Sequence, residues 1–83
     1  MPVVDNPTLH RFELAVDGQT AFLVYERTAG TLGLMHTEVP EAFRGRRYGE
    51  TLVKAALDIA RSEGLRIVAV CPFVRAYLRK HPL

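Results

Sequence analysis

Arginines and glycines are concentrated in residues 44–49, RGRRYG, within the longer stretch VPEAFRGRRYGETLVKAAL (residues 39–57). An apolar run ends at Pro40 before them, and apolar residues at helical spacing begin after Gly49. The first amides of a helix lack partners within the helix and carry the positive end of its dipole, so phosphate is a natural ligand there. Glycine lets the main chain approach such a ligand, and arginine adds charge and bidentate hydrogen bonds. The stretch therefore predicts a phosphate-binding loop.

The segments before this loop predict three strands. Two β-rich runs, residues 11–16 and 20–27, surround Asp17-Gly18, and an Asp-Gly pair between such runs is a strong hairpin signal. A turn at Ala29-Gly30 leads into a third strand near residues 31–39. Strict alternation along this strand predicts that one face carries Leu32, Leu34, His36 and Glu38, and the other Met35, Thr37 and Val39.

The segments after the loop predict a helix, a strand and a second helix. The first helix begins near Gly49 and stops at Glu63-Gly64, and LRIVAV (residues 65–70) predicts a short strand that is buried and central in the sheet. FVRAYLRKH, residues 73–81, predicts a basic second helix. The order β-β-β-α-β-α predicts one α+β domain over residues 1–83, with antiparallel N-terminal strands. The third and fourth strands then run parallel, joined by a right-handed crossover that directs the loop toward the helix N-terminus.

Charge is distributed unevenly along the chain. Residues 1–43 carry a formal charge of −4 and residues 44–83 a charge of +6. This asymmetry suits an anionic ligand on one side of the domain and a cationic one on the other, although solvated surface charge alone would look the same. The single cysteine, Cys71, excludes an internal disulfide, and three scattered histidines give no zinc-ligand spacing, so no metal is expected. Without an apolar run of about 20 residues or a signal sequence, a cytoplasmic protein that does not enter membranes is expected.

The loop and its surroundings resemble a known family. VPEAFRGRRYGETLVKAAL resembles the acyl-CoA-binding signature of the GNAT superfamily of N-acyltransferases, in which Gln or Arg is followed by two residues, Gly, one residue, and Gly or Ala. Arg44 matches the first position and Gly49 the last, whereas Arg47 stands at the middle glycine. Together with HTEVP and CPFVRAYLRKHP, the chain resembles the small single-domain GNAT-like subfamily with a Cys-Pro-Phe or Cys-Pro-Tyr segment, over roughly residues 8–82.

The resemblance implies a minimal GNAT-like fold and acetyl-CoA, or coenzyme A, as cosubstrate. Main-chain amides of the loop would hold the CoA pyrophosphate, and the pantetheine arm would lie in a cleft between the third and fourth strands. At Arg47, either the side chain turns outward and binds phosphate or the loop binds CoA poorly. The first helices of longer GNAT enzymes are missing, so the acceptor site is open or is completed by a second subunit in a homodimer. The expected CoA-binding residues are Val39, Arg44, Gly45, Arg46, Arg47, Tyr48, Gly49, Cys71, Pro72 and Phe73.

Four residues are candidates for catalysis. His36 is the best candidate base, since histidine exchanges its proton near neutral pH, and Glu38 could orient or assist it; each could equally be an ordinary strand residue. Cys71 could be transiently acylated or could simply line the pantetheine tunnel as a small hydrophobe. Tyr77 lies where GNAT enzymes often place a tyrosine that protonates the CoA thiolate, but packing alone would also explain an aromatic residue there.

These residues lead to one principal hypothesis and two alternatives. The principal hypothesis is an N-acetyltransferase that transfers an acetyl group to an unidentified amine by direct attack on the thioester. One alternative is a catalytically silent CoA-binding or interaction module, which the missing acceptor helices favour. The other is a nucleic-acid-binding protein, which the basic C-terminal half suggests but the lack of a paired aromatic platform on the strands disfavours.

Overall fold

Five strands form one mixed sheet in the computed structural model, which describes residues 2–83. The predicted α+β class, the two helices and the parallel pair are confirmed, and an additional short N-terminal strand precedes them. Met1 lies outside the described residues, and the expectation of a single domain over residues 1–83 stays a prediction. The elements are β1 (Val4–Asn6), β2 (Arg11–Val16), β3 (Gln19–Thr28), β4 (Thr31–Glu38), a 3₁₀ turn (Glu41–Phe43), α1 (Tyr48–Glu63), β5 (Arg66–Ala69) and α2 (Pro72–Lys80).

The strands lie in the sheet in chain order, β1-β2-β3-β4-β5. The pairs β1–β2, β2–β3 and β3–β4 are antiparallel, and the pair β4–β5 is parallel. Asp17 and Gly18 both have positive φ, 50° and 77°, as a two-residue hairpin turn requires, and this confirms the predicted hairpin. Gly30, with φ 83°, turns β3 into β4.

Both helices pack on one face of the sheet. That face carries Phe12, Leu23 and Leu34, which are fully buried against Leu52 and Val53 of α1. Burying each such side chain contributes about 1.5–3 kcal/mol, so this layer stabilises the packing of the helices on the sheet. Helix α1 ends at Gly64, as predicted. The backbone of Gly64 is in the left-handed conformation, and its amide donates hydrogen bonds to the carbonyls of Ala60 and Arg61. Within residues 2–83, no helix is long and apolar enough to cross a membrane.

A β-bulge reverses the faces in the second half of β4. Tyr25 pairs with Leu34 but Val24 pairs with His36, so Met35 is an extra residue on β4. After the bulge, Thr37 lies opposite the inward-facing Leu23, and His36 lies opposite Val24 on the face away from the helices. The prediction that Leu32, Leu34, His36 and Glu38 share one face is therefore wrong. The extra residue breaks the period of two on which that prediction depended.

Strand β5 lies at the edge of the sheet rather than at its centre. Its only strand partner within residues 2–83 is β4, and Val68 remains 45% exposed, so the prediction of a buried central strand is wrong. The last pair is Leu34 with Ala69. Beyond it, the amides of Val70 and Cys71 both donate to the Leu34 carbonyl at 3.0 Å, and Pro72 starts α2. Because β4 continues to Glu38, the two strands separate after this point.

Candidate functional site

A cleft of about 390 Å³ lies at the N-terminus of α1. The end of β4, the Arg-Gly loop, the first turn of α1 and the first turn of α2 form its walls. The parallel β4-α1-β5 unit brings these four segments together, because β4 and β5 end at the same edge of the sheet. Its lining residues are Val39, Phe43, Arg44, Gly45, Arg47, Tyr48, Gly49, Glu50 and Phe73.

The loop before α1 is held in place by its own turn and by one aromatic anchor. The amide of Phe43 donates to the Pro40 carbonyl at 2.9 Å, and the amide of Arg46 donates to the Phe43 carbonyl at 3.2 Å. The Phe43 side chain is buried and meets the Tyr48 ring edge-to-face, with 5.1 Å between ring centroids. The loop is therefore anchored at both ends while its arginines remain exposed.

The backbone of the loop leaves the amides at the start of α1 free for a ligand. Arg47, the residue before the helix, has left-handed backbone angles, φ 61° and ψ 25°, and Gly45 has φ 80°. Arg47 therefore keeps the backbone conformation that glycine favours, at the position where the GNAT resemblance places a glycine. The helix has no side-chain cap, and Thr51 is the first of its amides bonded to a backbone carbonyl, that of Arg47, at 3.1 Å. The preceding amides of the helix have no backbone acceptor within residues 2–83 and lie at the positive end of the helix dipole.

The loop arginines add uncompensated positive charge to this site. Arg44, Arg46 and Arg47 are exposed, and none forms an ion pair with a carboxylate of residues 2–83. Two of them, Arg44 and Arg47, line the cleft. Glu50 is the one acidic residue of its lining. The cleft therefore combines free amides with excess positive charge, a combination that suits a phosphate or pyrophosphate group.

Gly49 allows the two helices to meet at the cleft. A Cβ atom at this position would lie 2.8 Å from Cζ of Phe73, closer than packed atoms approach. The Phe73 ring thus lies directly on the first turn of α1, although 41% of this residue is still exposed. A side chain at position 49 would displace the ring and narrow the cleft.

Most of the expected CoA-binding residues meet in this cleft. Val39, Arg44, Gly45, Arg47, Tyr48, Gly49 and Phe73 line it, whereas Arg46, Cys71 and Pro72 do not. Sequence reasoning missed Phe43 and Glu50. Phe43 is the only aromatic residue between Pro40 and Arg47, and an apolar residue isolated in a charged loop is a usable signal for an anchor. Nothing in the local pattern marks Glu50.

Cys71 lies beside the cleft rather than in its lining. It is 4% exposed, and its Sγ is 3.5 Å from Oγ1 of Thr37, a contact that exists because the bulge turns Thr37 inward. Burial raises the pKa of Cys71, but the Thr37 hydroxyl and the amides of Val74 and Phe73 at the start of α2 lower it. The resulting pKa is below the ordinary value for cysteine. The thiol therefore has stabilising partners that the sequence did not reveal.

The other candidate catalytic residues lie outside the cleft lining. His36 and Glu38 are on the sheet face away from the helices, with 3.8 Å between Nε2 and Oε2 and side chains 61% and 62% exposed. Tyr77 lies one turn after Phe73 on α2, and its ring contacts that of His81 at a tilt of 35°, with 4.6 Å between ring centroids. Within residues 2–83, no group of three or more His, Cys, Asp or Glu residues is arranged to hold a metal ion.

Comparison with known proteins identifies the family. The family model described as GCN5-related N-acetyl-transferase matches residues 11–83. Protein NATD1 of Xenopus tropicalis is 38% identical over 76 residues, 88% of this chain and 70% of that protein. Protein NATD1 of Danio rerio is 36% identical over 75 residues, 87% of this chain and 68% of that protein. Protein NATD1 of Mus musculus is 37% identical over 76 residues, 88% of this chain and 69% of that protein. The chain therefore belongs to the GCN5-related N-acetyltransferase (GNAT) family.

Proposed function

We propose that this protein binds acetyl-CoA in the cleft at the N-terminus of α1 and transfers the acetyl group to an amine by direct attack. The observation that carries the proposal is the cleft itself, where free helix amides, unpaired arginines and apolar rings lie together. Membership of the GNAT family supports acetyl-CoA as the cosubstrate.

Different residues of the cleft bind different parts of the cosubstrate. The amides of the first α1 turn, with Arg44 and Arg47, bind the pyrophosphate. Val39 and Phe73 offer apolar surface to the pantetheine arm, next to the place where β4 and β5 separate. Binding in this way fixes the thioester relative to the sheet, and a positioned reactant is the largest contribution that a site of this kind can make.

The acceptor amine approaches from the opposite face of the sheet. His36 and Glu38 lie on that face, on the strand that separates from β5 after the pair of Leu34 with Ala69. His36 in its neutral form takes the proton of the attacking amine, and an oxygen of the Glu38 carboxylate lies 3.8 Å from its Nε2. A direct attack is proposed because moving the acetyl group to the Cys71 thiol exchanges one thioester for another and gains no activation.

Binding is tested by titration calorimetry with CoA and acetyl-CoA. Arg44→Ala should weaken binding about tenfold, as expected for the loss of a charge-assisted hydrogen bond to phosphate. Arg61→Ala is the matched control, because it also removes one exposed arginine but its partner is Asp58 on the outer surface of α1. Gly49→Ala should weaken binding by displacing the Phe73 ring. Binding that is undetectable at millimolar CoA would refute the proposal.

Turnover is tested by incubating the protein with acetyl-CoA and a panel of amines, followed by mass spectrometry. His36→Ala should lower turnover and leave CoA affinity unchanged, because His36 does not line the cleft. Cys71→Ala should retain most of the rate, and no acetyl group should accumulate on Cys71 after rapid quenching. A kinetically competent acetyl-Cys71 would replace direct attack with a covalent mechanism.

A catalytically silent CoA-binding module is the second candidate. Its supporting observation is that none of His36, Glu38, Cys71 and Tyr77 lines the cleft. This function predicts normal CoA affinity with no product from any amine in the panel. It also predicts that His36→Ala has no measurable effect on CoA affinity.

A further inference from the structure

A second, shallower depression adjoins the cleft along α2. Its volume is about 90 Å³, and it shares Glu50 and Phe73 with the cleft, so the two depressions are direct neighbours on the surface. Its α2 residues are spaced three and four apart and therefore lie on one helix face. The lining residues are Glu50, Phe73, Ala76, Tyr77, Lys80 and His81.

The chemistry of the depression changes along its length. Phe73 is the aromatic residue shared with the cleft, and the rings of Tyr77 and His81 follow, in contact and tilted by 35° with centroids 4.6 Å apart. Lys80 is exposed at the far end and has no carboxylate partner within residues 2–83. From Phe73 to Lys80 the helix rises about 10 Å, which is the scale of a single nucleotide. Aromatic faces followed by one free cation are what a base and a phosphate monoester require.

We propose that this depression holds the adenosine end of CoA, with the adenine base over Phe73 and Tyr77 and the ribose 3′-phosphate at Lys80. The inference rests on the proposed binding of CoA in the adjoining cleft. It gives the aromatic face of Tyr77 a role in binding, which is separate from proton donation by its hydroxyl. It also accounts for the exposure of an apolar ring at Phe73, since a stacked base would cover it.

Lys80 has to overcome two unfavourable charges for a phosphate. One is the Glu50 carboxylate at the other end of the depression, and the other is the negative end of the α2 dipole. Removing the Lys80 charge should therefore leave a site that disfavours the 3′-phosphate rather than a neutral one. A reversed preference between ligands with and without the 3′-phosphate would distinguish this specific contact from a general loss of positive charge.

The test compares CoA with dephospho-CoA, which lacks only the 3′-phosphate, by titration calorimetry. The wild-type protein should bind CoA about fivefold more tightly, the range of an exposed ion pair at its upper end. In Lys80→Gln the preference should disappear or reverse. Arg79→Gln is the matched control: Arg79 is the neighbouring exposed cation on α2, does not line the depression, and should leave the preference intact. Tyr77→Ala should weaken both ligands, whereas Tyr77→Phe should weaken neither.

The possible outcomes separate this inference from the proposed function. CoA binding with no preference over dephospho-CoA, or a preference that survives Lys80→Gln, would overturn the adenosine site and leave the cleft assignment standing. Loss of preference in Arg79→Gln as well would show a diffuse charge effect and would also overturn it. Failure of both ligands to bind would refute the proposed function itself, and the adenosine site with it.

Discussion

Replacing Arg47 by glycine should stabilise the fold and weaken CoA binding. Arg47 is one of three non-glycine residues in residues 2–83 with positive φ, and it occupies this conformation at 61° immediately before α1. The left-handed conformation costs an L-residue about 1–2 kcal/mol, and glycine is free of that cost. Glycine also raises the entropy of the unfolded chain, which costs about 0.5–1 kcal/mol. The net expectation is a gain of about 0.5–1 kcal/mol in the free energy of unfolding.

Arg46→Gly provides the matched comparison. Arg46 is the adjacent residue, is exposed, and has no positive φ, so glycine there brings only the entropic cost of about 0.5–1 kcal/mol. Both variants remove one arginine charge from the same loop. For a domain of this size 1 kcal/mol shifts Tm by about 4–8 °C, so the two variants should move in opposite directions by about 2–8 °C each.

The assay is thermal unfolding followed by circular dichroism, with CoA affinity measured on the same samples. The proposed role of the Arg47 side chain predicts that Arg47→Gly loses about fivefold in CoA affinity while Tm rises. If the Tm of Arg47→Gly falls as far as that of Arg46→Gly, the inference that the left-handed backbone of Arg47 costs stability is refuted. A rise in CoA affinity would instead show that the guanidinium obstructs the phosphate site, and that a glycine serves this loop better.

Three further predictions concern the fold and the thiol. Tyr25→Phe should cost about 1 kcal/mol in a denaturant titration, because it removes the 2.6 Å hydrogen bond to Asp5. Burial and that bond raise the pKa of Tyr25 above its ordinary value. The stability contributed by the protonated hydroxyl is therefore intact below pH ~10 and is lost as the pH rises further. Tyr25→Phe should consequently lose less stability at alkaline pH than the wild-type protein does. Thr37→Val should raise the pKa of Cys71, seen as a shift to higher pH of the thiolate ultraviolet absorbance, with Cys71→Ser as the blank. Leu52→Ala should lower the free energy of unfolding by about 2–5 kcal/mol, and a smaller loss would show that the interface between sheet and α1 relaxes around the cavity.

Local chemistry explains which parts of the fold were predictable from sequence. Asp17-Gly18 and Gly30 accept the positive φ of their turns, and Gly64 accepts that of the α1 C-terminus, so these boundaries are marked in the chain itself. The amphipathic pattern of α1 and the proline at the start of α2 act over a few residues in the same way. The cleft lining was largely predictable because most of it comes from one continuous stretch, residues 39–50.

What the sequence did not reveal depends on pairing between distant segments. Gly33, two residues earlier in β4, is a weak local signal for the bulge at Met35, but the position of the extra residue is defined only relative to β3. The edge position of β5 likewise depends on which strands are its neighbours, since a β-branched run suits an edge or a centre equally well. β1 is only three residues long, too short to show a period of two.

The bulge determines how the two halves of the site are related. It turns Thr37 toward the helices, where it partners Cys71, and turns His36 and Glu38 to the opposite face. A strand without the extra residue would place the His36 side chain among the core residues and the Thr37 hydroxyl in solvent. The Cys71 thiol thus lies in a buried, hydrogen-bonded environment on the helix-covered face, whereas the His36 imidazole is accessible to water on the other face. In the proposed direct attack the amine therefore approaches the open face of the sheet, where the candidate base is exposed and where no helix of residues 2–83 covers the strands.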